Sequence, residues 1–196
     1  MGRKLFKMKI NCKWLPKENE LNINDYQNEM SKAYDIFYND FITSKPKING
    51  FEVMVRRYPE DKTNHRYNSF NHITTKDYDK IQGNSSNYCD RYPDIKRIER
   101  IAWVRKIIEH YDCKPTQNCN CRGVMTWYEP YRSTYRMNIM LYDENFLIVL
   151  EKNKKGFYFL ITAFYFDNVM ERKTRYEKYK ISTFVPNELK SMINSA

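Results

Sequence analysis

Residues 135–180 read YRMNIMLYDENFLIVLEKNKKGFYFLITAFYFDNVMERKTRYEKYK, and this stretch decides the fold. Polar groups at 143–145 and 152–156 interrupt its apolar blocks, which is typical of hairpin turns. Between Tyr135 and Leu141 apolar and polar residues alternate, and this is the period of a half-buried strand. The stretch therefore predicts an antiparallel meander that runs into a helix.

The next two strands of this meander, at 146–150 and 157–166, are apolar on both faces. This pattern indicates strands in the middle of a sheet covered on both sides, or covered on one side and bearing a ligand groove on the other. After Asp167 the chain becomes basic, with aromatic rings interleaved. The cations of this predicted helix are Arg172, Lys173, Arg175, Lys178 and Lys180.

A chain of 196 residues suits one domain with an extension. We predict an N-terminal helical extension at 1–48 and a main domain at 49–196. In the extension, apolar positions from Tyr26 to Phe41 recur at steps of three and four, which predicts a helix over 25–41. The expected class is α+β, with helices packed on one face of a four- or five-stranded antiparallel sheet.

The overall charge favours a polyanionic partner. Lysine and arginine number 34 against 24 acidic residues, giving a net charge of +10 and a pI near 9.3. Seventeen tyrosines and eleven phenylalanines add rings that stack on unpaired bases, although many must lie in the core. The alternative is a basic protein whose charges are simply solvated.

Neither a membrane span nor a secretory signal is indicated by the sequence. No apolar run reaches about 18 residues, and the N-terminus lacks an apolar segment of the kind that a signal peptide needs. Five cysteines, an odd number, agree with a reducing compartment. We therefore expect a cytoplasmic protein.

His72 is the first candidate for chemistry, because a histidine is the side chain best suited to moving protons at neutral pH. It stands between Phe70 and Ile73, with Thr74 and Thr75 beside it. The other two histidines, His65 and His110, occupy a polar loop and a helix end. The alternative for His72 is a hydrogen-bonded structural histidine.

Arg105 is the second candidate. The segment after Pro93 predicts a helix capped by Asp94, and Arg105 falls inside its apolar stripe. A buried guanidinium needs a carboxylate, carbonyls or a bound anion. A pair with Glu144 or Glu151 and a phosphate site are equally open. Arg97 lies at the edge of the stripe, whereas Lys96 and Arg100 are expected to point away.

Four cysteines give only a weak signal for a zinc site, because their spacing matches no paired C-x-x-C knuckles. They are Cys89, Cys113, Cys119 and Cys121. We find no phosphate-binding glycine loop, HExxH motif or serine elbow among the 196 residues. No metal or cofactor is therefore predicted for the chemistry.

RNA cleavage fits these residues, because the 2′-hydroxyl of RNA is itself a nucleophile. Such a site needs a proton-transfer group, cations to neutralise the phosphorane and donors that hold the phosphate in line. His72, Arg105 and Thr162 supply one such set of catalytic residues.

The order of elements resembles the phage-associated branch of the barnase/EndoU/colicin/RelE-like nucleases. The likeness covers about residues 50–180 and is clearest in RIERIAWVR and in LITAFYFD followed by ERK. It implies metal-independent endoribonuclease activity, often on tRNA, in toxins or in proteins of phages and mobile elements. The implied sheet carries helices on one face and RNA on the other.

Carried over residue by residue, the resemblance matches the family's histidine to His72 and its late-strand hydroxyl and aromatic to Thr162 and Phe164. The helix arginines match Arg97 and Arg105, and the strand cation matches Arg136. The sequence departs from the family pattern in one respect: no paired lysines immediately precede His72, and the nearest cation before it is Arg66.

The function predicted from the sequence is therefore a toxin-like ribonuclease with His72 as general acid and base. The residues expected to bind RNA are Arg97, Arg136, Phe164, Tyr165, Arg172, Lys173 and Arg175. Two rivals remain open. One is a non-catalytic nucleic-acid-binding or host-inhibitory protein, and the other is a toxin-like domain held inactive by an acidic antitoxin or immunity protein.

Overall fold

The structure is a computed structural model that describes residues 12–57, 68–77, 91–116, 119 and 121–184. Within this part of the chain, six strands form one sheet in the order β1-β2-β8-β7-β6-β5. The strands are β1 (Lys47–Ile48), β2 (Phe51–Val55), β5 (Val124–Tyr131), β6 (Thr134–Leu141), β7 (Phe146–Lys152) and β8 (Tyr158–Tyr165). A separate antiparallel pair consists of β3 (Thr75–Asp77) and β4 (Arg91–Pro93).

Five α-helices accompany the sheet in the described residues. They are α1 (Tyr26–Tyr38), α2 (Asn68–Thr74), α3 (Ile95–Glu99), α4 (Ile101–Glu109) and α5 (Val169–Ile181). A π-helical turn, Asn39–Thr43, extends α1, which confirms the helix expected over 25–41. The basic helix after the meander is also confirmed, and the Asn168 side chain caps it by accepting from the backbone N–H of Met170.

The sheet contains the expected meander, since β5 to β8 pair antiparallel in chain order. The expectation of a four- or five-stranded antiparallel sheet is nevertheless wrong, because β2 adds to β8 in parallel and brings β1 with it. Val53 pairs with Tyr158 across more than a hundred residues, and such a distant pairing leaves no local pattern in the sequence. The turn joining β1 to β2 has positive φ at Asn49 and Gly50, as a tight hairpin requires.

The main core lies between one face of the sheet and helices α1 to α4. It takes Phe37 from α1, Phe70 from α2 and Ile107 from α4, each with no exposed surface. Fully burying a side chain of this size stabilises the fold by about 1.5–3 kcal/mol. Residues of the proposed extension thus share the core of the sheet, while the boundary at residue 48 stays a prediction.

Helix α5 packs on the opposite face, so the expectation that all helices share one face is wrong. Its Tyr176 and Tyr179 lie against a smaller cluster that includes Met125, Trp127 and Phe166. This cluster explains why the later strands are apolar on both faces. The rest of that face is left open as a groove.

Strand β5 continues through Pro130 to Tyr131, and the reversal into β6 falls at Arg132 and Ser133. One local expectation differs from the structure. The single helix predicted after Pro93 is divided at Arg100, whose side chain is buried rather than pointing away.

Candidate active site

The candidate site is a cavity of about 610 Å³ on the face of the sheet that α5 leaves open. Strands β5 to β8 form its floor, and segments around α2, β4, α3 and the start of α5 form its walls. His72 and Thr162 lie 90 positions apart in the sequence and both line this cavity. Of the predicted RNA-binding residues, it is also lined by Arg97, Arg136, Phe164, Tyr165 and Arg175.

A β-bulge brings Thr162 to the floor. Leu150 pairs with Leu160 and Val149 pairs with Thr162, so Ile161 is an extra residue on β8. Leu160 and Ala163 both face the main core, and the residues between them, Ile161 and Thr162, both line the cavity. Bulges of this kind re-aim side chains and are common beside active sites.

Arg97 joins the segment that carries His72 to helix α3. One guanidinium nitrogen donates to the backbone carbonyls of His72 at 2.9 Å and Thr75 at 2.6 Å. The Thr162 hydroxyl donates to the same His72 carbonyl over a longer distance of 3.4 Å. The backbone of His72 is thus fixed by residues from β8 and α3, and its half-buried side chain lines the cavity.

The cavity is rich in charge of both signs. Its cationic side chains belong to Lys76, Arg91, Arg97, Arg136 and Arg175, and its carboxylates to Asp94, Glu129, Asp167 and Glu171. Several form ion pairs, such as Lys76 with Asp94 at 3.3 Å and Arg175 with Glu171 at 3.7 Å. The mixture suits a ligand that brings both negative charge and hydrogen-bond donors.

Glu129 is a carboxylate whose ionised form is specifically supported. Burial opposes its ionisation, but hydrogen bonds from Trp127 Nε1 at 3.1 Å and Lys178 Nζ at 3.2 Å lower its pKa overall. It therefore stays an anion at neutral pH, with one oxygen held in place by these two donors.

The floor also holds donors that the fold does not satisfy. Asn138 is 2% exposed, and its Nδ2 has no hydrogen-bond partner among the described residues, nor has the buried Nε of Arg136. An unpaired buried donor costs about 1–3 kcal/mol. Sequence reasoning missed Asn138 and Glu129, although Asn138 alternates with the core residues Met137 and Ile139 and so had to face the other side.

Arg105 does not line this cavity. Its guanidinium binds Glu109 at 2.7 Å, the Asp40 carbonyl at 2.7 Å and the Ser44 carbonyl, near the end of α1. The partner is therefore Glu109 and not Glu144 or Glu151. The contacts of Arg105, which was predicted to be catalytic, therefore join α4 to the π-helical turn instead of facing the cavity.

The other predicted RNA-binding residues lie on α5 outside the cavity lining. Arg172 donates to Asn145 Oδ1 at 2.7 Å, and its guanidinium lies over the ring of Tyr142 at 4.8 Å. Lys173 is exposed on the same helix. The exposed lysine is available to a phosphate backbone, whereas Arg172 already stabilises the contact between α5 and the sheet.

The cysteines meet in a different arrangement from the weak zinc pattern in the sequence. Cys89 lies outside the described residues. The sulfur atom of Cys12 lies 3.4 Å from that of Cys121, and the sulfur atom of Cys119 lies 3.2 Å from the same Cys121 sulfur. Among the residues that the structure describes, no group of three or more His, Cys, Asp and Glu side chains is arranged to hold a metal ion.

These thiols differ in acidity. Burial, together with the contact to Cys121, raises the pKa of Cys12 to about 12. Backbone hydrogen bonding to Thr116, and contacts with Cys121, lower the pKa of Cys119 to about 7. Cys119 is therefore the more nucleophilic thiol of the two at neutral pH.

A second cavity, of about 740 Å³, lies where β6 begins and β7 ends. It is lined by Lys152, Lys154 and Lys155. Lys152 is buried and lies over the rings of Phe51 and Tyr135. No histidine and no predicted catalytic residue lines it, so the cavity beside His72 is the stronger candidate for chemistry.

Comparison of the chain with family models, with curated proteins and with solved structures finds no match. No helix in the described ranges combines the length and the apolar character needed to cross a membrane.

Proposed function

We propose that this chain is a metal-independent endoribonuclease that uses the RNA 2′-hydroxyl as its nucleophile. One observation carries the proposal: His72, Thr162 and four arginines from distant parts of the chain line a single cavity with two aromatic rings. The proton-transfer group, the hydroxyl donor and the cations that RNA cleavage needs are thereby brought together.

In the proposed mechanism, His72 accepts the proton of the 2′-hydroxyl as its oxygen attacks the adjacent phosphorus. The proton then passes to the departing 5′-oxygen, leaving a 2′,3′-cyclic phosphate. Arg97 stabilises the phosphorane, and Thr162 and Tyr165 position the phosphate. Arg136 contributes to binding the RNA. This set departs from the one expected from the sequence by omitting Arg105, whose guanidinium is occupied by Glu109 and two carbonyls.

The RNA backbone outside the cavity would run along α5. Arg175 lines the cavity and Lys173 is exposed on the same helix, so cations continue beyond the cleavage site. Transfer RNA is the first substrate to test, in keeping with the resemblance to barnase/EndoU/colicin/RelE-like nucleases. We further propose a cytoplasmic setting and an acidic antitoxin or immunity protein that covers this basic surface.

One observation favours a second candidate, a non-catalytic nucleic-acid-binding or host-inhibitory protein. Arg97 donates hydrogen bonds to the backbone carbonyls of His72 and Thr75, and this structural role is enough to account for its burial. In that case RNA would be retained without being cut, and replacement of His72 would leave RNA binding unchanged.

The test is incubation of the purified protein with total tRNA in EDTA, followed by analysis of the fragment ends. The proposal expects fragments that carry 2′,3′-cyclic phosphate. Tight tRNA binding without fragments would instead favour the non-catalytic candidate.

A further inference from the structure

Two nitrogen donors on β6 lie at the cavity floor with no acceptor among the described residues. Asn138 Nδ2 and Arg136 Nε are both buried and lack a hydrogen-bond partner in the part of the chain that the structure describes. The two residues are separated by one position and share a face of the strand, about 7 Å apart. Both line the cavity.

The surroundings of these donors are fixed by neighbouring strands. Asn138 pairs in register with Trp127 on one side and Val149 on the other, and neither side chain offers an acceptor. The guanidinium of Arg136 lies 3.6 Å from the ring centroid of Tyr131 and donates through Nη2 to Glu151 Oε2 at 3.5 Å, so its buried Nε is left for another acceptor. Neither cross-strand neighbour satisfies Asn138 Nδ2, so this donor is available to a ligand in the cavity.

Glu129 places an acceptor beside these donors, since it pairs with Arg136 across the two strands. Its carboxylate is held by Trp127 and Lys178 as an anion. A phosphodiester brings only acceptor oxygens, and its negative charge would be repelled by Glu129. The edge of a nucleobase carries both acceptors and N–H donors, which matches a floor that presents both kinds of group.

An aromatic ring of β8 completes the arrangement. Phe164 lines the same cavity, and a planar base gains affinity by stacking on such a ring. We infer that Asn138, with Arg136 and Glu129, forms a nucleobase-binding subsite, while His72 and the remaining cations face the phosphate. This inference rests on the proposed function, because it assumes that the cavity takes RNA.

The test compares binding of non-cleavable ligands by isothermal titration calorimetry. The ligands are the four 2′-deoxy homotrinucleotides and a trinucleotide whose three sites are all abasic. The natural protein is expected to bind at least one homotrinucleotide about tenfold more tightly than the abasic chain. Asn138→Leu should lose that gain and keep the affinity for the abasic chain. Asn28→Leu, a matched change on the exposed surface of α1, should keep both affinities.

Two results would overturn the subsite: equal binding of all five ligands by the natural protein, or a base-dependent gain that survives in Asn138→Leu. Misfolding is checked by thermal unfolding, and Asn138→Leu should melt no lower than the natural protein, because it replaces an unpaired buried amide by an apolar group. The ligands cannot be cleaved, so a failure of ribonuclease activity leaves this binding result intact and the two proposals fail separately.

Discussion

Arg97 donates a hydrogen bond of 2.9 Å to the backbone carbonyl of His72, and this bond joins α3 to the helix that carries the candidate catalytic histidine. The same nitrogen reaches the Thr75 carbonyl at 2.6 Å. The arginine therefore supports the backbone on both sides of Thr74, and the position of His72 in the cavity depends on it.

Replacing Arg97 by methionine should reduce both stability and cleavage. The loss of two charge-assisted hydrogen bonds from a side chain that is 14% exposed is expected to lower the free energy of unfolding by about 2–4 kcal/mol, measured by urea denaturation. Single-turnover cleavage by the folded variant should fall about 100-fold or more. Lys32→Met, which removes an exposed cation from α1 away from the cavity, serves as the control. Unchanged cleavage in folded Arg97→Met would remove this arginine from the site.

Arg105→Gln should separate stability from activity. The ion pair with Glu109 and the bond to the Asp40 carbonyl are lost, so we expect the free energy of unfolding to fall by about 1–3 kcal/mol. The cleavage rate of the folded variant should not change. Lys106→Gln removes an exposed contact to the same Glu109 and should alter stability by less than about 0.5 kcal/mol. A selective loss of cleavage in Arg105→Gln would restore the role expected from the sequence.

Much of the meander could be predicted from the sequence, because alternation and polar turns are local signals. The alternation in β6 even assigns Arg136 and Asn138 to the face opposite the core. The parallel pairing of β2 with β8 could not be predicted, since it depends on a contact between residues far apart in the chain. The bulge at Ile161 could not be predicted either, because the apolar run at 157–166 is continuous and contains no residue that marks a bulge.

Arg105 shows the limit of helical periodicity. The spacing places this residue inside the apolar stripe of the helix, and its side chain is 18% exposed, but periodicity does not say which element packs there. The carbonyls of Asp40 and Ser44 come from the π-helical turn after α1, and only the tertiary structure brings them to the guanidinium. In contrast, Arg100 was expected to be exposed and is 6% exposed, because its partner Glu18 comes from the segment before α1.

RNA binding should depend strongly on salt, and Lys173 should contribute to that dependence. For a single strand, each phosphate contact adds about 0.7 to the slope of log affinity against log salt. Lys173→Ala is expected to reduce the slope by about that amount in a fluorescence titration. Lys32→Ala, which removes an exposed cation from α1, should leave the slope unchanged. Equal slopes for Lys173→Ala and the natural protein would place the RNA backbone elsewhere.

Cys119 should be alkylated at lower pH than Cys12. The pKa of Cys119 is lowered to about 7, whereas that of Cys12 is raised to about 12, so the thiolate of Cys119 forms first as the pH rises. Labelling with iodoacetamide, followed by peptide mass spectrometry, should give a midpoint near pH 7 for Cys119 and little modification of Cys12 at pH 8. Cys119→Ser identifies the peptide. Similar labelling of both cysteines at pH 7 would contradict the proposed hydrogen-bonding arrangement.

The most direct measurement is cleavage of total tRNA in EDTA by the natural protein, His72→Ala and His110→Ala. His110 stacks on Trp14 at 4.4 Å and does not line the cavity, so it controls for the loss of a histidine. The account predicts fragments with 2′,3′-cyclic phosphate from the natural protein and from His110→Ala. His72→Ala should bind tRNA with normal affinity and produce no fragments. Equal cleavage by His72→Ala would contradict the assignment of His72 as the proton-transfer residue.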